Sequence, residues 1–290
     1  MSHILNSKDV GVITAYGEAL EGGYQGTREQ LYASISSSGL TLPIDPQSPT
    51  ERELFITTHG IPVYVPPAWE TGTADGIKKA LRKHYAGEID LADYWHVGDT
   101  RSFNLSAIAA FSGGYAQAAQ TITLTIMNVG GRTLVDNVTE CAFVLGMTRT
   151  LTTTETRSGT WDTSNIRNWL NGAVRNAFDS DIVDIFQRHV NNTYVYNSSL
   201  SRYMTVSTSD YFTIPSSHEI FGATISDVNP SDGSMLSYYT DSTKRSKGTT
   251  YWTRSIRTNS NSTVYVNSTG TGIANASSSS RYGISLQCVI

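Results

Sequence analysis

Ser217-His218-Glu219 sets three residue types of a hydrolytic triad side by side. Adjacent residues cannot align a nucleophile, a base and an orienting carboxylate, and no nucleophile-elbow sequence surrounds them, so acyl-transfer chemistry is not expected here. His3, His59, His84, His96 and His189 lack metal-ligand spacing, and neither Cys-x-x-Cys nor His-Glu-x-x-His occurs. Asp227-Val228-Asn229-Pro230-Ser231-Asp232-Gly233 offers oxygen atoms at alternate positions, as a calcium loop does. It has no Gly at the sixth position of an EF-hand loop and Tyr238 instead of Glu at the twelfth, so it reads as a polar turn, with a calcium site of another kind left open. Cys141 and Cys288 cannot make a disulfide framework; they read as buried free thiols of a chain made in a reducing compartment, a single bridge being the alternative. No catalytic residue, metal or cofactor is expected from these patterns.

A binding surface is the stronger expectation. Towards the C-terminus the chain gathers Tyr251, Arg254, Arg257, Asn259, Asn261, Tyr265, Asn267, Asn275, Arg281 and Tyr282. Aromatic rings give contact area at low entropic cost, and Asn and Ser give adaptable hydrogen bonds, the composition of antibody binding loops. These ten are the candidate ligand-binding residues, with Trp252 between them expected in the core.

The whole chain shares that chemistry. Of 290 residues, 16% are charged, against about 25% in an ordinary globular protein. Ser, Thr, Asn and Gly take the place of the missing charge, beside 16 Tyr and 5 Trp. A net charge of -4 and a pI of 5.8 do not make the cationic field that nucleic acid requires. No apolar run reaches the length of a membrane span, and residues 1–10 have no apolar signal segment.

Periodicity supplies the elements that would position these residues. Two short helices, over residues 8–20 and from a Thr27 cap onward, are too short to be stable alone and require a partner. A Pro-rich connector follows, then a strand pair over 54–65 and an amphipathic helix over 74–85. Strands are expected at 95–105, 121–127 and 141–147, with residues 128–132 as a hairpin loop. A helix capped by Asp162 or Thr163 carries Ile166, Trp169, Leu170, Ala173, Val174 and Ala177; a second is expected over 180–188. Short strands follow, including 251–256, 262–266 and a closing strand over 282–290. The fold class is α+β, in three parts: a helical segment at 1–40, a connector with strand pair and helix at 41–92, and the main domain at 93–290.

Gly159-Thr160-Trp161-Asp162-Thr163-Ser164-Asn165-Ile166-Arg167-Asn168-Trp169-Leu170-Asn171 resembles the hallmark of a domain family common in gut bacteria and their phages. Its further marks follow in order: Thr208-Ser209-Asp210-Tyr211-Phe212, Ser217-His218-Glu219-Ile220-Phe221-Gly222, Tyr251-Trp252-Thr253-Arg254-Ser255 and Tyr282-Gly283-Ile284. The resemblance covers about residues 95–290 and implies a C-type-lectin-like fold. Near the terminus this chain has Gly283-Ile284-Ser285-Leu286 where the family usually has Gly-Val-Arg-Pro. At the front, Asp9-Val10-Gly11-Val12-Ile13-Thr14-Ala15-Tyr16-Gly17 and Glu21-Gly22-Gly23-Tyr24-Gln25-Gly26-Thr27 resemble the attachment segment of phage fibre and head-fibre proteins. Together these imply a non-enzymatic virion protein: residues 8–36 bind other virion proteins, and the lectin-like domain binds a host-surface glycan or protein, the whole as a homotrimer. A decoration protein without a host ligand is the alternative. A formylglycine-generating type of oxidase, which the lectin-like fold also hosts, would draw on Cys141 and Cys288.

Overall fold

The computed structural model describes residues 53–56, 62–109, 115–136, 138–222, 228, 233–258, 260–275 and 280–290. The expected helices of residues 8–36 and most of the Asp227 to Gly233 loop lie outside them. The chain divides into two compact units, one up to Ala80 and one from Leu81 to Ile290.

In the first unit, β1 (Glu53–Ile56) pairs antiparallel with β2 (Pro62–Val65), Leu54 opposite Tyr64. Helix α1 (Ala74–Tyr85) begins in this unit, and its Ile77, Ala80 and Leu81 fall at helical spacing and are buried. Both elements match the periodicity of the sequence.

The second unit is α+β, with two five-stranded sheets. The first has the order β3 (Thr100–Leu105), β4 (Gln120–Val129), β5 (Phe143–Met147), β14 (Gln287–Val289), β9 (Phe212–Thr213), antiparallel throughout. The second runs β12 (Ile273–Asn275), β11 (Thr263–Val266), β10 (Tyr251–Ile256), β13 (Tyr282–Gly283), β6 (Thr154–Glu155), antiparallel except for β10 against β13. Between them in sequence, β7 (His189–Asn197) and β8 (Arg202–Asp210) form a long two-stranded ribbon in continuous register from His189↔Asp210 to Asn197↔Arg202.

The expected closing strand over 282–290 is two strands in two sheets. After β13, Ile284, Ser285 and Leu286 carry the chain across, and β14 enters the first sheet beside β5. Residues 284–290 are all buried, the polar Ser285 and Gln287 among them, so nothing in the burial pattern marks the change of sheet.

Helix α2 (Asn165–Trp169) is capped by Ser164, whose hydroxyl accepts from the Arg167 amide, while Trp161–Thr163 forms a 3-10 turn ahead of it. The cap is therefore Ser164, not the expected Asp162 or Thr163. From α2 the chain passes through a π turn (Leu170–Val174) into α3 (Arg175–Ala177). No helix spans 180–188; only Val183–Ile185 makes a 3-10 turn. Phe186 then turns extended, and Gln187 bridges to Val289, so sheet pairing takes over the stretch. Phe178, Phe186 and Phe212 pack with ring centroids 5.0 to 5.2 Å apart, and Phe103 joins at 5.7 Å from Phe186.

Candidate functional site

Polar residues inside the second unit form a connected frame. Helix α4 (Ser217–Phe221) opens on a reciprocal cap: the Ser216 hydroxyl accepts from the Glu219 amide, and Glu219 Oε2 accepts from the Ser216 amide. The Glu219 carboxylate also receives Arg254 through both guanidinium nitrogens, at 2.8 and 2.7 Å, and Arg132 Nη2 at 2.5 Å. All three side chains are buried. Arg132 further donates to Asn191 Oδ1 at 2.7 Å and Gln287 Oε1 at 3.0 Å. Asn191 passes the network on to Asp210, which also accepts from Trp161 Nε1, Thr208 and Arg167.

Burial pushes the Glu219 carboxyl up, but the charges of Arg132 and Arg254, with hydrogen bonds from Arg254 and the Ser216 amide, bring it below its ordinary value. His189, beside Asn191, is held well below the usual histidine range by burial and by the same two guanidinium groups, so it is neutral at pH 7. Ser217 and Ser255 share a hydroxyl hydrogen bond at 3.0 Å. Ser217-His218-Glu219 is thus a helix start and an ionic anchor.

Arg157 completes the frame. A bulge between Trp252 and Ile256 interrupts the β10–β11 register, and Arg157 donates to the carbonyls of Thr253, Arg254 and Ser255 there. Peptide groups that the neighbouring strand does not pair are satisfied by one buried guanidinium.

The ten candidate ligand residues separate over this frame. Tyr251 and Arg254 lie inside it: Tyr251 is fully buried with its hydroxyl donating to Arg245 O at 2.9 Å, and Arg254 is held by Glu219. A strand covered on both faces leaves them no solvent face, which corrects their placement on a binding surface. Asn261 is exposed, but its Oδ1 accepts from the Tyr196 amide and its Nδ2 donates to the Tyr196 carbonyl, like one more ladder rung on β7. Asn267 closes the β11–β12 turn, accepting from Thr271 N and Thr269 Oγ1 and donating to Thr271 Oγ1. At Gly270 in that turn φ is +72°, and a Cβ would run into the backbone of Arg245 and Ser246. Replacing Asn267 by Ala is therefore expected to lower stability by about 1 kcal/mol, read as a shift in the urea midpoint at unchanged slope.

Arg257 is exposed and its amide donates to Ser262 O at 2.8 Å. Asn275 pairs with Val264 across β11 and β12, and Asn259 lies outside the described residues. Three candidates come together. The Tyr265 and Tyr282 rings are half-buried with centroids 4.4 Å apart, Tyr282 rests on the buried Trp252 at 4.8 Å, and exposed Arg281 stands next to Tyr282. Arg281 Nη1 lies 3.6 Å from Glu155 Oε2, a pairing of little energy at an exposed site. Trp252 is in the core as expected, its indole donating to Glu155 O at 2.6 Å.

Cys141 and Cys288 are free and buried. Burial raises the Cys141 thiol to about 11 and Cys288 well above its ordinary value, so neither is a thiolate at neutral pH. Sequence reasoning did not single out Arg132, which falls in the expected 128–132 loop, or Asn191 and Asp210, which lie in the largely polar strands β7 and β8; Asp210 stood out only as part of a motif stretch.

The fold and site define an α+β domain in which a buried ionic frame supports an aromatic surface. Residues 136–290, 155 of the 290, match the family described as Domain of unknown function (DUF6273), and the chain belongs to that family. No curated protein and no solved structure matches the chain.

Proposed function

We propose that the domain is an adhesion module of a phage virion protein, a fibre or decoration component with a C-type-lectin-like fold, which binds a host-surface glycan or protein without catalysis. The observation that carries this reading is the Tyr265–Tyr282 pair, two half-buried rings 4.4 Å apart, with the exposed Arg281 next to Tyr282 in sequence. Such rings offer an apolar face for stacking and hydroxyls at the edge, at low cost in side-chain entropy. Trp252 and the buried frame keep them in place before a ligand arrives, so little ordering cost falls on binding. In this reading residues 8–36 attach the chain to other virion proteins, and a homotrimer multiplies weak contacts, raising avidity by about 10² to 10⁴ fold.

A glycan array and whole-cell binding assay with the full chain test it. The wild type is expected to bind, and Tyr265→Ala with Tyr282→Ala to weaken binding about tenfold or more while changing stability by only about 1 kcal/mol. A folded wild type that binds neither array nor cells would favour a decoration protein with no host ligand. Light scattering that gives the mass of one chain would remove the trimer.

A further inference from the structure

Apart from the Tyr265–Tyr282 platform, the second unit has an open cleft of about 410 Å³, lined by Leu134, Asp136, Arg175, Phe186, Arg188 and Tyr211 among others. That volume lies in the range of small-molecule sites. Two cations share its tyrosine: the Arg175 guanidinium carbon lies 4.1 Å from the Tyr211 ring centroid and that of Arg188 5.8 Å. No carboxylate pairs with either among the described residues. Arg188 has one long hydrogen bond, 3.4 Å to Ser209 O, and Arg175 Nε is buried without a partner. Two guanidinium groups beside one ring repel each other, and an anion between them would relieve that.

The rest of the lining narrows the anion. Asp136 and Asp184 also line the cleft, so its four formal charges cancel, and a dianion would meet two carboxylates. A monoanion suits it better. Planar guanidinium forks match a carboxylate through paired N–H donors, the Asp136 carboxylate, which already accepts from Val138 N, Thr139 N and the Thr139 hydroxyl, keeps acceptor capacity for a ligand hydroxyl, and Leu134 and Phe186 supply an apolar wall. We propose that this cleft binds a hydroxylated monocarboxylate of monosaccharide size, an acidic sugar, with its carboxylate between Arg175 and Arg188.

The proposal is independent of the adhesion reading, and its test separates them. Sodium glucuronate is titrated into the isotope-labelled full chain with amide shifts followed by NMR, in parallel with glucose and inorganic phosphate. Saturable shifts at Gln187, Arg188 and Tyr211 are expected with glucuronate, with Kd of order 1 mM, and weaker ones with the other two. Arg175→Ala and Arg188→Ala are expected to weaken binding about tenfold each with thermal unfolding unchanged, and Arg175→Lys to retain part of it. The Tyr265→Ala, Tyr282→Ala variant is expected to bind glucuronate as the wild type does. The proposal is overturned by any of three results: no saturable shift in the folded wild type, equal binding of glucose or phosphate, or binding indifferent to both Arg→Ala variants.

Discussion

Glu219→Ala is expected to leave a domain that is unfolded or barely folded at neutral pH. The change removes one carboxylate and strands two guanidinium groups, since Arg132 and Arg254 are both buried and both rely on it for charge. Breaking a buried pair from one side costs about 3 to 5 kcal/mol, and here two cations are left facing one another in the interior. Against a total stability of about 5 to 15 kcal/mol, that is most of the margin. The α4 cap goes as well, because Glu219 Oε2 holds the Ser216 amide. Glu219→Gln keeps the volume and one acceptor and is expected to fold with a lower denaturant midpoint. The carboxyl lies below its ordinary value in the folded state. Its contribution is therefore fully present above pH 4.5 or so and is lost as pH falls through the lower folded value. Circular dichroism and denaturant titration of the two variants at pH 7 check the order wild type, Gln, Ala; an Ala variant as stable as the wild type would mean that the frame is not what holds α4, β10 and β14 together.

Much of the architecture was legible. The helix over 74–85, the strand pair before it and the strands around 121–127, 143–147 and 251–256 announce themselves by apolar spacing. The candidate site was legible only in part, and β10 shows why. Its sequence, Tyr-Trp-Thr-Arg-Ser-Ile, places polar residues on both faces, yet all six residues are buried. The polar ones are satisfied internally: Thr253 by Val264 O, Arg254 by Glu219, Ser255 by Ser217. Each partner lies 11 to 38 residues away in sequence, and no local pattern encodes such pairings. Asn261 and Asn267 show the same limit at the surface, where composition cannot separate an amide that awaits a ligand from one bonded to its own backbone. Tyr265, Arg281 and Tyr282 are candidates by residue type, and the fold supplies what type could not, the pairing of β10 with both β11 and β13 that brings the two rings together.

The motif stretches quoted from the sequence acquire a physical meaning from this frame. Trp161, Arg167, Asp210, Glu219 and Arg254 come from four separate stretches and are linked by hydrogen bonds, with Asn191 and Arg132 between them. Their work is internal. In the adhesion reading, ligand discrimination would fall to surface residues that the frame carries, so changes in surface chemistry would leave folding nearly intact, whereas small changes at the frame would not.

Lys247→Met is expected to abolish the rise in stability with pH that the buried Lys247 amine contributes above neutrality. Lys247 is buried, and among the described residues no carboxylate pairs with it; its ammonium donates to Met147 O and, at 3.0 Å, to the Tyr239 hydroxyl, with the Tyr239 and Tyr251 rings 5.5 and 5.2 Å away. The ring faces favour the cation, but burial dominates and lowers the group to about 7 from 10.5. Between those two values the unfolded chain binds a proton that the folded one does not, so stability rises with pH by up to about 1.4 kcal/mol per unit. Below pH 7 the cost of the buried charge is present in full, about 5 kcal/mol. Other buried groups titrate nearby: Cys141, Cys288, Tyr239 and Tyr251 are all raised, and their ionisation in the unfolded chain lowers stability at higher pH. These terms are common to wild type and variant and cancel in the difference. Met also leaves the Tyr239 hydroxyl without its donor, while Met147 O keeps the Ser285 hydroxyl at 3.2 Å, a loss of about 1 to 3 kcal/mol that does not vary with pH over this range. The pH slope of the difference therefore isolates the amine. Denaturant unfolding at pH 7, 8 and 9 is expected to show the variant's advantage shrinking by more than 1 kcal/mol per pH unit; a constant difference would mean that Lys247 stays charged in the folded protein, with its two hydrogen bonds and two rings sufficient to hold an ammonium in the core.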